Sequence, residues 1–123
     1  MSMQVTELFR RGVVRPLNSE ARDQLLTFFM SRIVRCEWLP IPDDAYFTSL
    51  WDSGIFQAIG NACDLVFSEY EEFVVQVEQV AIAQKAIGEY TRSKTSDVRQ
   101  FATCLQELFK DASTTGMPVI FLL

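Results

Sequence analysis

Residues 68–90 read SEYEEFVVQVEQVAIAQKAIGEY, and this stretch decides the predicted fold. Ser68, followed three residues later by Glu71, matches the capping box with which many helices begin. Apolar residues then recur at spacings of four, three and seven, on one arc of a helix: Phe73, Val77, Val80 and Ile87. Read alone, 73–77 would also suit a strand, because valine favours strands. The period and the flanking glutamates and glutamines favour a helix from Ser68 to about Tyr90.

Helical spacing of apolar residues continues over most of the remaining chain. It predicts further helices at 3–11, from Asn18 or Ser19 to about 35, at 43–52, at 55–66 and at 96–112. Residues 13–17 should be extended, because Pro16 restricts the residue before it. The apolar run 119–123 predicts a buried strand or extended tail, and 13–17 is its evident partner. The predicted fold class is therefore all-α: one compact domain over residues 1–123, with five to six helices and at most one short strand pairing.

The composition excludes most kinds of catalytic and metal-binding site. The 123 residues include 16 acids, 11 bases and no histidine, for a net charge of −5. Without histidine, Ser-His-Asp and Cys-His arrangements are impossible, and the commonest metal ligand is missing. No glycine-rich phosphate motif and no C-x-x-C pair occurs. We therefore expect no enzyme, no catalytic or metal-binding residue and no cofactor, and the acidic total argues against binding nucleic acid.

The sequence also predicts where the protein resides. No apolar stretch suits a signal peptide or is long enough to cross a membrane, so we expect no membrane partner. The cysteines are odd in number and widely spaced, which favours buried thiols over disulfides: Cys36, Cys63 and Cys104. We expect a cytoplasmic protein.

The negative charge is concentrated in one segment. Residues 36–84, the acidic middle, contain nine acids and no lysine or arginine, whereas residues 1–35 sum to +3 and residues 85–123 to +1. Two interpretations stay open. Arginines from 1–35 could fold over these acids and form ordinary surface ion pairs. Alternatively, the acids form a real negative face, which would speed the association of a basic partner and make it more specific.

A docking surface also needs apolar anchors among its charges. Aromatic residues lie close in sequence to acids between 38 and 52, and Val75 and Ile82 point away from the apolar arc of the predicted long helix. Burial of that helix on two sides would explain Val75 and Ile82 equally well. The candidate partner-binding residues are Asp43, Asp44, Tyr46, Trp51, Asp52, Glu69, Glu71, Glu72, Val75, Glu78 and Ile82. An acid–base pair drawn from the glutamates of 69–78 is an alternative that no spacing specifies.

About a third of the chain resembles a known class of proteins. The resemblance rests on Leu50-Trp51 with Phe56 and Ile59, on residues 68–73 and on the predicted helix to Tyr90. They resemble the immunity proteins of bacterial contact-dependent growth inhibition systems, which are small, acidic, helical, cytoplasmic and free of cofactors. The resemblance implies one-to-one binding of a toxin's C-terminal domain, usually a nuclease, and occlusion of its active site. It carries over no functional residue by position.

The functional expectation is therefore an immunity protein that binds a cognate basic toxin domain, a nuclease, through an acidic surface. We expect a monomer before binding. The alternative is a helical adaptor or chaperone-type module that binds a protein through apolar grooves. A carboxylate-based enzyme is the remaining alternative.

Overall fold

The computed structural model describes residues 3–7, 11–27 and 33–123, with side chains at 11–26 and 35–123. The described strands form one five-stranded sheet, in which every pairing is antiparallel. The strands are β1 (Met3–Glu7), β2 (Gly12–Pro16), β3 (Ile33–Pro40), β4 (Glu72–Val75) and β5 (Val119–Leu122). Their order across the sheet is β1-β3-β2-β5-β4. The all-α prediction is therefore wrong, and the described chain is mixed α/β.

Five α-helices accompany the sheet in the described ranges. They are α1 (Ser19–Thr27), α2 (Asp44–Ser53), α3 (Ile55–Cys63), α4 (Val80–Gly88) and α5 (Ser96–Thr115). Short 3₁₀ turns at Val77–Gln79 and Glu89–Arg92 flank α4. Among these described helices, none combines the length and the apolarity that crossing a bilayer requires.

The predicted helix from Ser68 to Tyr90 is wrong over its first third. Tyr70 has a φ of 65°, a left-handed backbone that no α-helix contains. The chain then forms β4, in which Phe73 lies opposite Phe121 of β5. The capping box lies further along: the backbone N–H of Gln76 donates to Oε1 of Gln79 (3.1 Å) in the turn that precedes α4. Long-range pairing with β5 has overridden the local helical period.

Two more predicted helical segments are strands. Residues 3–7, the start of the first predicted helix, form β1, and residues 33–35, the predicted end of the second helix, belong to β3. β3 lies between β1 and β2 and pairs with both. In its centre, residues alternate between the two faces of the sheet, as strand geometry requires. Residues 28–32 of the second predicted helix and 8–10 of the first lie outside the described residues.

Other predictions are confirmed. β2 and β5 pair, with Val14 opposite Ile120, although the described sheet holds four pairings rather than one. The side chain of Asn18 accepts from the N–H of Ala21 (2.7 Å) and begins α1 as expected. α2 and α5 lie where predicted. α3 ends at Cys63 instead of residue 66, because Asp64 adopts a left-handed backbone with a φ of 58°.

Helices cover both faces of the sheet. The main core lies between one face and helices α2 to α5, and it contains the fully buried rings of Phe56, Phe101, Phe109 and Phe121. On the opposite face, α1 packs on a second, smaller core of Val14, Ala21, Leu25, Cys36, Trp38 and Ile120. Because successive strand residues alternate in direction, Val13 faces the main core and Val14 the second.

Gly12 allows β2 to approach β3 closely. A Cβ at this position would lie 2.5 Å from the carbonyl oxygen of Leu39 and 2.5 Å from the ring of Trp38. The close approach fixes the start of β2, and it thereby fixes the backbone from which the side chain of Arg11 extends.

Candidate functional site

Arg11 is the cation at the centre of the candidate site. Its carbonyl accepts a hydrogen bond from the N–H of Ile41 (3.0 Å), which anchors its backbone beside β3. Its guanidinium pairs with the carboxylate of Asp44 on α2 (Nη1 to Oδ1, 3.6 Å) and with the carboxylate of Glu69. The side chain of Arg11 is 18% exposed, whereas that of Asp44 is 99% exposed. One partly buried arginine thus connects the start of β2, the first turn of α2 and the segment before β4.

The same guanidinium lies over two aromatic rings. Its central carbon is 4.2 Å from the ring centroid of Phe47 and 4.9 Å from that of Tyr70. Such contacts are attractive because the face of an aromatic ring is negative. Phe47 is buried and stacks on Trp51, with centroids 5.9 Å apart. Tyr70 is 82% exposed. Arg11 therefore joins a ring fixed in the core to a ring that faces solvent.

A surface pocket of about 260 Å³ opens beside this cluster. Its lining residues, the acidic pocket, are Arg11, Asp44, Phe47, Thr48, Trp51 and Glu69. Asp44, Thr48 and Asp52 are spaced four apart on α2 and are exposed, so they follow one side of that helix. The pocket combines carboxylates, a hydroxyl and half-exposed aromatic surface, which suits a cationic side chain better than an anionic one.

Other exposed groups lie in the segment between α3 and β4, to which the pocket residue Glu69 belongs. Glu69 and Glu71 are exposed, and Val66 is 88% exposed. The left-handed backbone at Tyr70 is costly for a residue with a large side chain, and such strain is often found at functional positions. An aromatic side chain placed in solvent among carboxylates has the properties of an interface anchor.

Most of the predicted site residues are exposed, but only three of them line the acidic pocket. Asp44, Trp51 and Glu69 line the acidic pocket, and Asp52 and Glu71 are exposed near it in sequence. Asp43 is exposed and caps α2 by accepting from the N–H of Tyr46 (2.8 Å). Glu72, Glu78 and Ile82 are exposed on β4, on the turn before α4 and on α4, and do not line the pocket.

Two predicted site residues are covered by the protein itself. Val75 has no exposed surface and lies in the main core, because β4 turns it inward rather than away from a helix. Tyr46 is half-buried, and its hydroxyl donates to the carbonyl of Asp97 (3.4 Å). Burial, together with the nearby charge of Asp97, raises the pKa of Tyr46 to about 12. As folded, Val75 offers no surface to a partner, and Tyr46 offers little.

The structure contains elements of both interpretations of the acidic middle. Arg11 pairs with two of its acids, and Arg15 pairs with a third, Glu37 (2.9 Å), directly across β2 and β3. Arginines from the basic end therefore do fold over part of the segment. Eight of its nine acids are nevertheless exposed: Asp43, Asp44, Asp52, Asp64, Glu69, Glu71, Glu72 and Glu78.

Sequence reasoning missed Arg11 as part of the site. Its partners lie 33 to 59 positions away in sequence, on elements that only the folded chain brings together. The one available signal was the contrast in charge between residues 1–35 and the acidic middle. Across the described residues, no group of three potential ligands among His, Cys, Asp and Glu is placed to hold a metal ion.

Comparison with known proteins identifies the fold rather than a family. No protein-family model and no curated protein matches the chain. Among solved structures, the chain is similar to the Neisseria DNA mimic protein DMP12, with a TM-score of 0.58 and 13% sequence identity. The likeness covers 93% of this chain and 100% of that one. At this identity, the likeness shows a shared fold.

Proposed function

We propose that this protein is an inhibitor that binds a basic, nucleic-acid-binding protein domain and covers the surface with which that domain contacts nucleic acid. The observation that carries the proposal is the acidic pocket, whose exposed carboxylates Asp44 and Glu69 share the guanidinium of Arg11 with the exposed ring of Tyr70. Carboxylates on a folded protein can take the place of phosphates on a surface built for DNA or RNA, because both are anions that bind arginine and lysine. The shared fold with a DNA mimic protein supports this class of function.

The charge of the acidic middle suits such a partner. Exposed carboxylates attract a basic surface over several ångströms and raise the association rate, while aromatic anchors supply most of the affinity. Trp51 and Tyr70 are the anchors at this site, since both present ring surface next to Asp44 and Glu69. The arrangement explains why the acids and the exposed ring occur together.

Within this class, we propose a toxin nuclease domain as the partner and blockage of its active site as the mechanism. The resemblance to immunity proteins of contact-dependent growth inhibition supports this choice. A nuclease must bind phosphates, so the surface around its active site is basic. A protein bound there through carboxylates would exclude the substrate without any chemistry of its own.

The test is binding to the purified nuclease domain of the toxin encoded beside this gene. We expect a one-to-one complex by calorimetry, stoichiometric loss of DNA or RNA cleavage, and association that slows steeply with added salt. No binding at micromolar concentrations in low salt would overturn the proposal.

A charge-matched pair of variants locates the surface. Asp44→Asn combined with Asp52→Asn removes two charges beside the pocket and should slow association by about tenfold. Glu89→Gln combined with Glu107→Gln removes two exposed charges outside the pocket and should change the rate by less than about threefold. Equal effects of the two pairs would show that the partner binds elsewhere.

A further inference from the structure

Residues 64–71, the segment between α3 and β4, are tied to the rest of the fold at several points, and the ring of Phe67 packs in the main core against Phe121. The N–H of Leu65 donates to the carbonyl of Gly60 (2.8 Å) and holds the start of the segment on α3. The carbonyl of Glu71 accepts from the N–H of Leu123 (3.0 Å) and holds its end on the last residue of the chain. Between these two points, the described contacts of Glu69 and Tyr70 lead to Arg11.

Arg11 itself is held firmly enough to position Glu69 and Tyr70. Its backbone is hydrogen-bonded to Ile41, and Gly12 next to it is packed under the ring of Trp38. Its guanidinium is planar, so its faces can stack on rings while its edge donates to carboxylates. The guanidinium contacts Phe47 and Asp44 of α2, and it also contacts Glu69 and Tyr70 of the segment before β4.

We infer that Arg11 is a positioning residue for the proposed docking surface: it holds Glu69 and Tyr70 against the first turns of α2, so that they form one surface with Asp44 and Trp51. The inference rests on the proposed function and adds to it the residue that assembles the site. The partner's basic side chains meet a surface that is already formed, which lowers the entropic cost of binding.

Electrostatics alone and a positioning role predict opposite effects of removing Arg11 on binding. Arg11 is a positive charge within an acidic surface, so its removal should strengthen attraction to a basic partner. A positioning role predicts weaker binding, because the loss of an ordered aromatic anchor outweighs the gain of one net negative charge. Whether the Kd rises or falls when Arg11 is replaced therefore distinguishes the two roles.

The experiment compares Arg11→Gln with Arg22→Gln. Both variants remove one positive charge; Arg22 lies on α1 and pairs with the adjacent Asp23 (3.2 Å), away from the pocket. Binding is measured against the same toxin nuclease domain. We expect the Kd of Arg11→Gln to rise by about five- to tenfold while that of Arg22→Gln stays equal or falls. Arg11→Lys keeps the charge without the planar fork and should lie between wild type and Arg11→Gln.

A second measurement needs no partner. Backbone ¹⁵N order parameters of residues 68–71 should fall from about 0.85, typical of a rigid backbone, to below about 0.6 in Arg11→Gln and stay high in Arg22→Gln. Thermal unfolding and circular dichroism establish that each variant is folded.

The outcomes separate the inference from the proposed function. Wild-type binding together with an Arg11→Gln variant that binds as tightly or more tightly overturns the positioning role and leaves the proposed function standing. Unchanged order parameters at 68–71 also overturn it, whether or not the nuclease binds. Failure of the wild-type protein to bind overturns the proposed function, and lowered order parameters would then still support Arg11 as the residue that positions Glu69 and Tyr70.

Discussion

The main core and the acidic pocket are both built on aromatic rings, and they differ in what holds each ring in place. In the main core, Phe56 contacts the rings of five neighbours: Phe47, Trp51, Phe67, Phe101 and Phe121. At the pocket, the described ring contact of Tyr70 is with one guanidinium, and its remaining surface faces water.

Phe47 belongs to both regions. It stacks on Phe56, with ring centroids 5.9 Å apart, and its ring also carries the guanidinium of Arg11 at 4.2 Å. The site is thus built directly on the core rather than on a separate lobe. Rings with many neighbours should determine stability, while a ring with one neighbour should affect binding and leave the fold intact. Predictions at Phe56 and Tyr70 test this difference, and a third prediction concerns the second core.

The largest effect is expected at the centre of the main core. Phe56→Ala removes a fully buried ring and leaves a cavity that rigid neighbours cannot fill, so the free energy of unfolding should fall by about 3–5 kcal/mol. Urea denaturation followed by circular dichroism measures it. Phe56→Leu, which leaves a smaller cavity, serves as the graded control. A loss below about 1 kcal/mol for Phe56→Ala would mean that the rings do not support one another in this way.

A smaller effect is expected in the second core at high pH. Burial raises the pKa of the Cys36 thiol from 9.0 to about 11. Well below pH 9 the thiol is protonated in both the folded and the unfolded protein. Between pH 9 and 11 the unfolded protein loses this proton and the folded protein retains it, so stability falls as the pH rises. By pH 10 this effect should have lowered the free energy of unfolding by about 1 kcal/mol.

The control for this effect is a buried residue that does not titrate. Cys36→Ala should flatten the fall in the free energy of unfolding between about pH 8 and pH 10. Val14→Ala, in the same core, should lower stability equally at every pH and keep the wild-type slope. A Cys36→Ala variant with the wild-type slope would show that this thiol does not contribute.

The smallest effect on stability, and a clear effect on binding, is expected at Tyr70. Glycine adopts a φ of 65° without strain, and the lost ring is 82% exposed, so Tyr70→Gly should change stability by less than about 0.5 kcal/mol. The Kd of the Tyr70→Gly variant for the nuclease domain should rise about fivefold or more. Tyr70→Ala keeps the strained backbone and should be slightly less stable than Tyr70→Gly with the same loss of binding. Unchanged binding in both variants would remove Tyr70 from the site.

The sequence predicted elements whose signals are local. Asp43 and Gly54 bracket α2, and the apolar stripe of α5 has one period throughout. Prediction from the sequence failed for strands whose pairing partners are distant along the chain. Phe73 fits the helical arc, and nothing in its neighbourhood indicates that it will lie opposite Phe121 of β5. A strand of only four residues shows too little alternation to outweigh a helical pattern that continues into α4.

For the candidate site, the sequence predicted the acids better than their arrangement. Exposed carboxylates follow from composition, because acids are seldom buried without partners. The failure at Val75 repeats the failure at β4, since a residue assigned to the wrong element is assigned to the wrong face. Arg11 could not be placed, because its role depends on three segments that meet only in the folded chain.

The position of β5 has a consequence for biosynthesis. It follows every other described element in the sequence, yet it lies between β2 and β4 in the sheet. While a ribosome is still adding these residues, β1, β2 and β3 can pair with one another, but β4 has no strand to join. The last sheet contacts therefore form only after β5 has left the exit tunnel, and until then the strand edge of β2 is open to other nascent chains.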